Sequence, residues 1–335
     1  KTDDDLQVIR PNALGKFSTL LSASAHSPAM LIYLDQASSS LDVPNENYAR
    51  ELLELHTISA EADYTQDDVM EVARAFTGWT IVRPRGKNAE AGQFYFDPRL
   101  HDEAAKDALG LHLPAGQGER DGEQVLELLG RHPMAARFIS TKLARRFVAD
   151  QPPATLVDDL AGSFGSSGGD IRAFLRTLFA SPEFRSSAGL KFKRPLEFMV
   201  SALRATGAEI GSDLTSLRGQ LQAMGQVPFN WSSPDGYPDQ AEYWATTGGL
   251  LNRWNLGLQL AGNHIAGARV DLRALTQDAD SPEDVVDVLS QRLLGEVLPP
   301  DARTILVDFA SAGDLGKNLE GVTGLILGSP HFQMR

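Results

Sequence analysis

The sequence predicts a mainly α-helical protein, a multi-helical orthogonal or bundle-like array with one short candidate β-hairpin near residues 80–96. Three observations lead there. Apolar residues recur at i, i+3 and i+4 in segment after segment. Helix-start signals stand where those segments begin. Strand-type alternation is confined to one place.

In chain order the periodic segments are "NALGKFSTLLSASA", "DDVMEVARAFTGW", "GEQVLELLGRH", "MAARFISTKLARRFV", "IRAFLRTLFA", "LEFMVSALRATG", "GLLNRWNLGLQLAG" and "PEDVVDVLSQRLL". Thr65 precedes "QDD", Asp170 follows the Gly168-Gly169 pair, and Ser281 opens Ser-Pro-Glu-Asp. Each offers a side-chain oxygen to the open amides of a first helical turn. "FYF" at 94–96, with "TIV" at 80–82, carries the strand signal, and the polar stretch from Arg83 to Ala91 reads as the turn between them.

One internal repeat stands out. "ISTKLARRFV" (139–148) ends its unit in "LRTLFASPEF" (175–184), and "LSQRLLGEVL" (289–298) ends in "VTGLILGSPHF" (322–332). The proline stops one helix, and the aromatic after it is placed to pack back as a latch. The expected organisation is an N-terminal helical part over 1–135 and a C-terminal part over 136–335 holding both Ser-Pro-x-Phe units, either as two domains or as one continuous domain. A duplicated unit over 139–184 and 289–332 reads as architecture.

The chain has 335 residues, a formal net charge of −13 and no cysteine. That balance argues against nucleic-acid or anionic-membrane partners, which need a basic stripe. No stretch approaches the ~18 apolar residues of a membrane span. Absence of cysteine removes disulfides, thiolate metal sites and cysteine nucleophiles. Motifs for nucleotide cofactors, a serine-hydrolase elbow or a zincin metal site are also missing. The chain opens "KTDDDLQVIR" and is in an amphipathic helix by residue 12, which reads as a fragment or processed product of a longer precursor.

Several blocks occur together and in order: "SPAMLIYLD", "NENYARELLELHT", "YTQDDVMEVARAFTGW", "FDPRLHD", "KLARRFV", "KFKRPLEFMVSALRA" and "PDGYPDQAEYW". In these the chain resembles the bacterial family catalogued as domain of unknown function 1800, from about Ala13 to the terminal "SPHFQMR". The resemblance implies a secreted or periplasmic helical protein whose relatives carry a further N-terminal helical region. That missing region is then an expected partner, beside an extracellular polymer or a second secreted protein. The resemblance brings no established activity.

"PNENYARELLELH" (44–56) crowds charge onto one helix. On a helical wheel Tyr48, Ala49, Leu52, Leu53 and Leu55 pack inward, while Glu46, Arg50 and Glu54 line up beside Glu51. Glu46–Arg50 and Arg50–Glu54 are favourable pairs. Three readings fit: a solvated salt-bridged face, a buried network, or the wall of a site in which Glu51 and Glu54 serve as acid and base or bind a metal. His56 leans to the packing side and reads as a core histidine.

"FDPRLHDEAAK" places His101 and Asp102 in a loop, where functional polar residues concentrate, with Lys106 four residues on. Relatives in the resembled family read His-Asp, then Gly and Lys, whereas Glu103-Ala104-Ala105 intervenes here. "KFKRPLEF" puts Lys191, Lys193 and Arg194 before a helix, to receive an anion or to pair with acidic surface. Trp231, Tyr237, Tyr243 and Trp244 sit among turn residues, where they either stack on sugar rings or anchor a long loop.

Two functional expectations follow. One is a secreted hydrolase-like or lyase-like enzyme acting on an extracellular polymer, foremost polysaccharide, with Glu46, Arg50, Glu51, Glu54, His101 and Asp102 in one site around an optional divalent cation. The other is a non-catalytic secreted binding or assembly module in which the polar helix is structural.

Overall fold

The computed structural model of the protein describes residues 2–82 and 92–335. Helices dominate, and among the described residues the strands form two-stranded antiparallel ladders. The chain folds as two compact units, residues 1–147 with 151–186, and residues 148–150 with 187–335.

In the first unit, helical turns over 2–12 lead to α1 (Phe17–Ala25) and α2 (Pro28–Tyr33). Helix α3 (Glu46–Glu51) widens into a π-helical segment, Leu52–Thr57, before α4 (Gln66–Ala75). Asn45 caps α3 by accepting from the Tyr48 amide at 3.0 Å. Thr65 and Asp68 form a reciprocal capping box on α4, and Asp170 accepts from the Ala173 amide at 2.8 Å. These caps satisfy first-turn amides that have no partner within their own helix.

The expected hairpin is present: β1 (Trp79–Ile81) pairs with β2 (Phe94–Phe96), Thr80 opposite Tyr95. The turn assigned to Arg83–Ala91 lies outside the described residues. A second hairpin, β3 (Lys106–Ala108) with β4 (Leu111–Leu113), was not expected. Leu109 and Gly110 join its strands, both with positive φ, as a two-residue hairpin turn of this kind requires. Leucine in the first of these positions hides the signal that Asn-Gly or Asp-Gly would give.

Four helices complete the unit: α5 (Arg120–Arg131), α6 (Pro133–Phe147), α7 (Ala154–Ser166) and α8 (Ile171–Ala180), followed by the single turn α9 (Pro182–Arg185). At the core lies Trp79, fully buried and edge-on to Phe76 (4.9 Å) and Phe94 (5.3 Å). Phe76 in turn meets Tyr48 of α3 at 5.4 Å. Helix α5 approaches this indole at Gly122, where an added Cβ would lie 2.7 Å from Trp79 Cζ2.

The second unit contains α10 (Pro195–Ala205), β5 (Glu209–Ile210), α11 (Thr215–Ala223), α12 (Ala241–Trp244) and α13 (Thr247–Ala261). Strand β6 (Ala268–Arg269) pairs with β5, and α14 (Leu272–Leu275) through α18 (Pro330–Gln333) follow. Its core gathers Phe198, Leu260, Val286, Leu289, Ile326 and Phe332.

Each unit closes with the same run of elements. In the first it is α6, α7, α8 and α9; in the second it is α15 (Pro282–Leu294), α16 (Pro300–Ser311), α17 (Leu315–Gly328) and α18. Ser181 accepts from the Phe184 amide at 3.1 Å and Ser329 from the Phe332 amide at 3.4 Å, each followed by proline in the first turn. Phe332 is the buried latch, packed 5.7 Å from Phe198, whereas Phe184 is half-buried against Phe179 at 4.9 Å.

Gly122→Ala should destabilise the protein by about 1–3 kcal/mol, because the methyl overpacks an indole with nowhere to move. The gain in helix propensity, ~1 kcal/mol, offsets part of this. A urea midpoint equal to the parent's would show that α5 and Trp79 separate without cost.

Candidate functional site

The charged face of α3 does form a network, and the next helix joins it. Arg50 Nη1 lies 3.4 Å from Glu54 Oε1, and Arg50 Nη2 donates to Gln66 Oε1 at 2.6 Å. Gln66 Nε2 donates to Glu46 Oε2 at 2.6 Å, so Gln66 bridges Glu46 and Arg50 where the wheel paired them directly. Tyr64 donates to Glu54 at 2.9 Å. Partial burial, then this glutamate, push the Tyr64 phenol up to about 12. The π-helical turn beyond Glu51 departs from the 3.6-residue period, and Thr57 Oγ1 donates to the Leu52 carbonyl five residues back at 2.6 Å.

His101 is buried in a different network. Its Nδ1 donates to the Thr77 carbonyl at 2.7 Å, and its Nε2 faces Asp121 Oδ2 at 3.2 Å. Lys106 Nζ donates to the same Asp121 oxygen at 2.6 Å, to the Ala104 carbonyl at 2.8 Å and to the Asp102 carbonyl. The side chains of His101, Lys106 and Asp121 are 0%, 0% and 1% exposed. Asp102 points elsewhere, to Arg74 Nε at 2.7 Å, and Arg74 is also held by Glu71. The hydrogen bond from Arg74 is the main cause that holds the Asp102 carboxyl below its ordinary range.

Glu46, Arg50 and Glu54 therefore meet in the first network, joined through Gln66, whereas the side chains of His101 and Asp102 turn to different partners. The α3 network reaches α4 at Gln66, and the His101 loop reaches α4 at Arg74. Those positions are eight residues apart, about 12 Å along the helix. Asp121 escaped the sequence reading, although its spacing to Val125, Leu126 and Leu129 puts it on the apolar stripe of α5. A lone carboxylate on such a stripe is the signal that it needs a buried cation.

The two ends of α5, which packs on α1, carry further polar groups. At its C-terminal end a cavity of about 310 Å³ is lined by Lys16, Ser18, Arg131, His132, Gly168 and Gly169, among others. His132 Nδ1 accepts from the Met134 amide at 3.2 Å, which leaves Nε2–H as a donor. Among the described residues Arg131 makes a solvent-exposed pair with Glu127 at 2.9 Å. At the N-terminal end, His26, Glu119 and Glu123 bring one ligand-type atom each to within 4.8 Å of one another.

In the second unit, the cations of "KFKRPLEF" largely pair with acids. Lys191 contacts Asp150, Arg194 lies 3.3 Å from Glu197, and Lys193 sits 3.9 Å above the Phe332 ring. Burial pushes Lys193 down to about 8. The aromatic loop folds on itself: Trp231 contacts Tyr237 at 4.8 Å and Tyr243 contacts Trp244 at 5.1 Å. Tyr237 donates to the Val227 carbonyl and Trp244 to the Pro238 carbonyl. These bonds match the anchoring role.

The model of the family described as "Protein of unknown function (DUF1800)" matches residues 1–334. The chain belongs to this family. No curated protein and no solved structure matches it. Among the described residues no helix is long and apolar enough to cross a membrane. The carbonyls of Asp102 and Ala104 wrap the Lys106 ammonium where it meets Asp121.

Lys106→Ala should cost about 3–5 kcal/mol, since it strands Asp121 as a buried charge. Lys106→Met with Asp121→Leu should recover much of that loss in denaturant melts, and recovery of none would exclude this cause. Burial, and secondarily Lys142, lower His56 from 6.5 to about 4. The unfolded chain therefore binds this proton more readily than the folded one. Stability should be full above about pH 6.5 and fall as the pH drops toward 4. Urea midpoints should show a smaller fall over that interval in His56→Gln.

Proposed function

We propose that this member is a non-catalytic secreted binding or assembly module that holds a discrete acidic group of an extracellular polymer, most simply an acidic substituent on a polysaccharide. The observation that carries this reading is the cavity beside Lys16, Arg131 and His132, a local concentration of donors in a chain of net charge −13. At about 310 Å³ it is near the small end of ligand sites, ~300–1,000 Å³, and suits one charged group rather than a long segment. The overall charge opposes a dense polyanion, so the ligand carries its acids sparsely. Export enters through the family resemblance.

The enzymatic reading, hydrolase-like or lyase-like with Glu46, Arg50, Glu51, Glu54, His101 and Asp102, is favoured by one observation. Glu54 and Arg50 remain partly exposed, at 26% and 41%. Against it, both nitrogens of His101 are engaged inside the fold, and Asp102 is tied to Arg74. A general acid or base must reach its substrate. The separation along α4 also weighs against a shared centre.

Calorimetric titration with sparsely acidic, neutral and densely anionic polysaccharides tests the proposal. The sparsely acidic polymer should bind best, and added salt should weaken it. Lys16→Ala with Arg131→Ala should lower its affinity about tenfold or more, ~1.4 kcal/mol. Equal binding of neutral polymer, or unchanged affinity in the double variant, overturns it. Chain shortening by the parent protein that disappears in Glu54→Gln would establish the enzymatic reading instead.

A further inference from the structure

A second site, at the opposite end of α5 from the cationic cavity, follows from side chains that play no part in the reading above. Glu119 immediately precedes α5 and Glu123 lies one turn later, so the two project together as an i, i+4 pair. His26, at the C-terminal end of α1, completes the group. We propose that His26, Glu119 and Glu123 bind one divalent first-row transition cation, of which Zn²⁺ is the probe.

The imidazole is prepared for this role. His26 Nδ1 lies 2.7 Å from the Ser22 carbonyl, an acceptor only, so Nδ1 bears the proton and Nε2 keeps its lone pair. A backbone carbonyl behind the second nitrogen is the usual way a ligating histidine is oriented. The ring is also fixed by packing, tilted 4.4 Å from Trp79 and edge-on 4.6 Å from Phe94. One imidazole with two carboxylates favours a transition cation over Mg²⁺ or Ca²⁺, which prefer all-oxygen shells.

The distances need only a small adjustment. Two ligand atoms each ~2.1 Å from one ion lie at most ~4.2 Å apart. The three atoms already fall within 4.8 Å, and Glu123 is exposed, free to rotate inward. Three protein ligands leave positions for water.

An independent observation marks the same place. Trp79 Nε1 is fully buried and has no hydrogen-bond partner among the described residues. The indole edge that carries it abuts α5 at Gly122, between the two glutamates, and its ring packs tilted against His26. A buried donor without an acceptor is costly and calls for an occupant. A small movement that admits water beside the bound ion would give it that acceptor.

Zinc titration of chelator-treated protein by calorimetry should give one site. Glu123→Gln, at an exposed position, should weaken binding about tenfold or more while the melting temperature without metal stays at the parent's value. Glu119→Gln should behave likewise. Cu²⁺ should quench tryptophan emission in the parent, and Trp79→Phe should remove most of that quenching. Absence of zinc binding, parent-like affinity in Glu123→Gln, or undiminished quenching in Trp79→Phe overturns the proposal. These measurements use no polymer, so their outcome is separable from that of the anionic cavity.

Discussion

The buried carboxylate of Asp121 is the contact on which the first unit depends. It enters the core at the first turn of α5, where the helix dipole favours negative charge. A carboxylate there is tolerable only because Lys106 and His101 meet it. Lys106 also gathers the Asp102 and Ala104 carbonyls. One ion pair thereby fastens the His101 loop, the β3–β4 hairpin and α5 together. The next residue, Gly122, lets α5 settle on Trp79, so the ionic anchor and the aromatic core fix the same helix.

With α5 fixed in this way, its two ends acquire opposite characters. Glu119 and Glu123 stand at the amide-rich end, Arg131 and His132 at the carbonyl-rich end, each in the arrangement the helix dipole favours. The dipole alone would make both ends ordinary surface. What sets them apart is what α1 contributes: His26 with an oriented ring at one end, Lys16 beside a cavity at the other.

Several of the polar residues that look most chemical in the sequence are engaged by the structure itself. His101 spends both nitrogens on the fold, and Asp102 and Glu71 share Arg74. The α3 network draws its partners from Tyr64 and Gln66. Arg253 in the second unit extends the pattern: its guanidinium is buried between Phe192 and Phe198, donates to Gln333 at 2.9 Å, and is pushed down to about 10 by burial.

The mainly α class, the caps at Thr65, Asp170 and Ser281, the β1–β2 pairing and the repeated Ser-Pro-x-Phe endings were legible in the sequence. Each rests on interactions between residues close along the chain, which spacing reports directly. The β3–β4 hairpin was not, because Leu109 takes a left-handed conformation that leucine seldom signals. Nor were the meetings that define the candidate sites. His101 finds Asp121 twenty residues away, His26 finds Glu119 and Glu123 nearly a hundred away, and Lys16 finds His132 farther still. Periodicity tells which face of a helix is buried, but only the packing of α1 on α5 decides which polar groups arrive at each end.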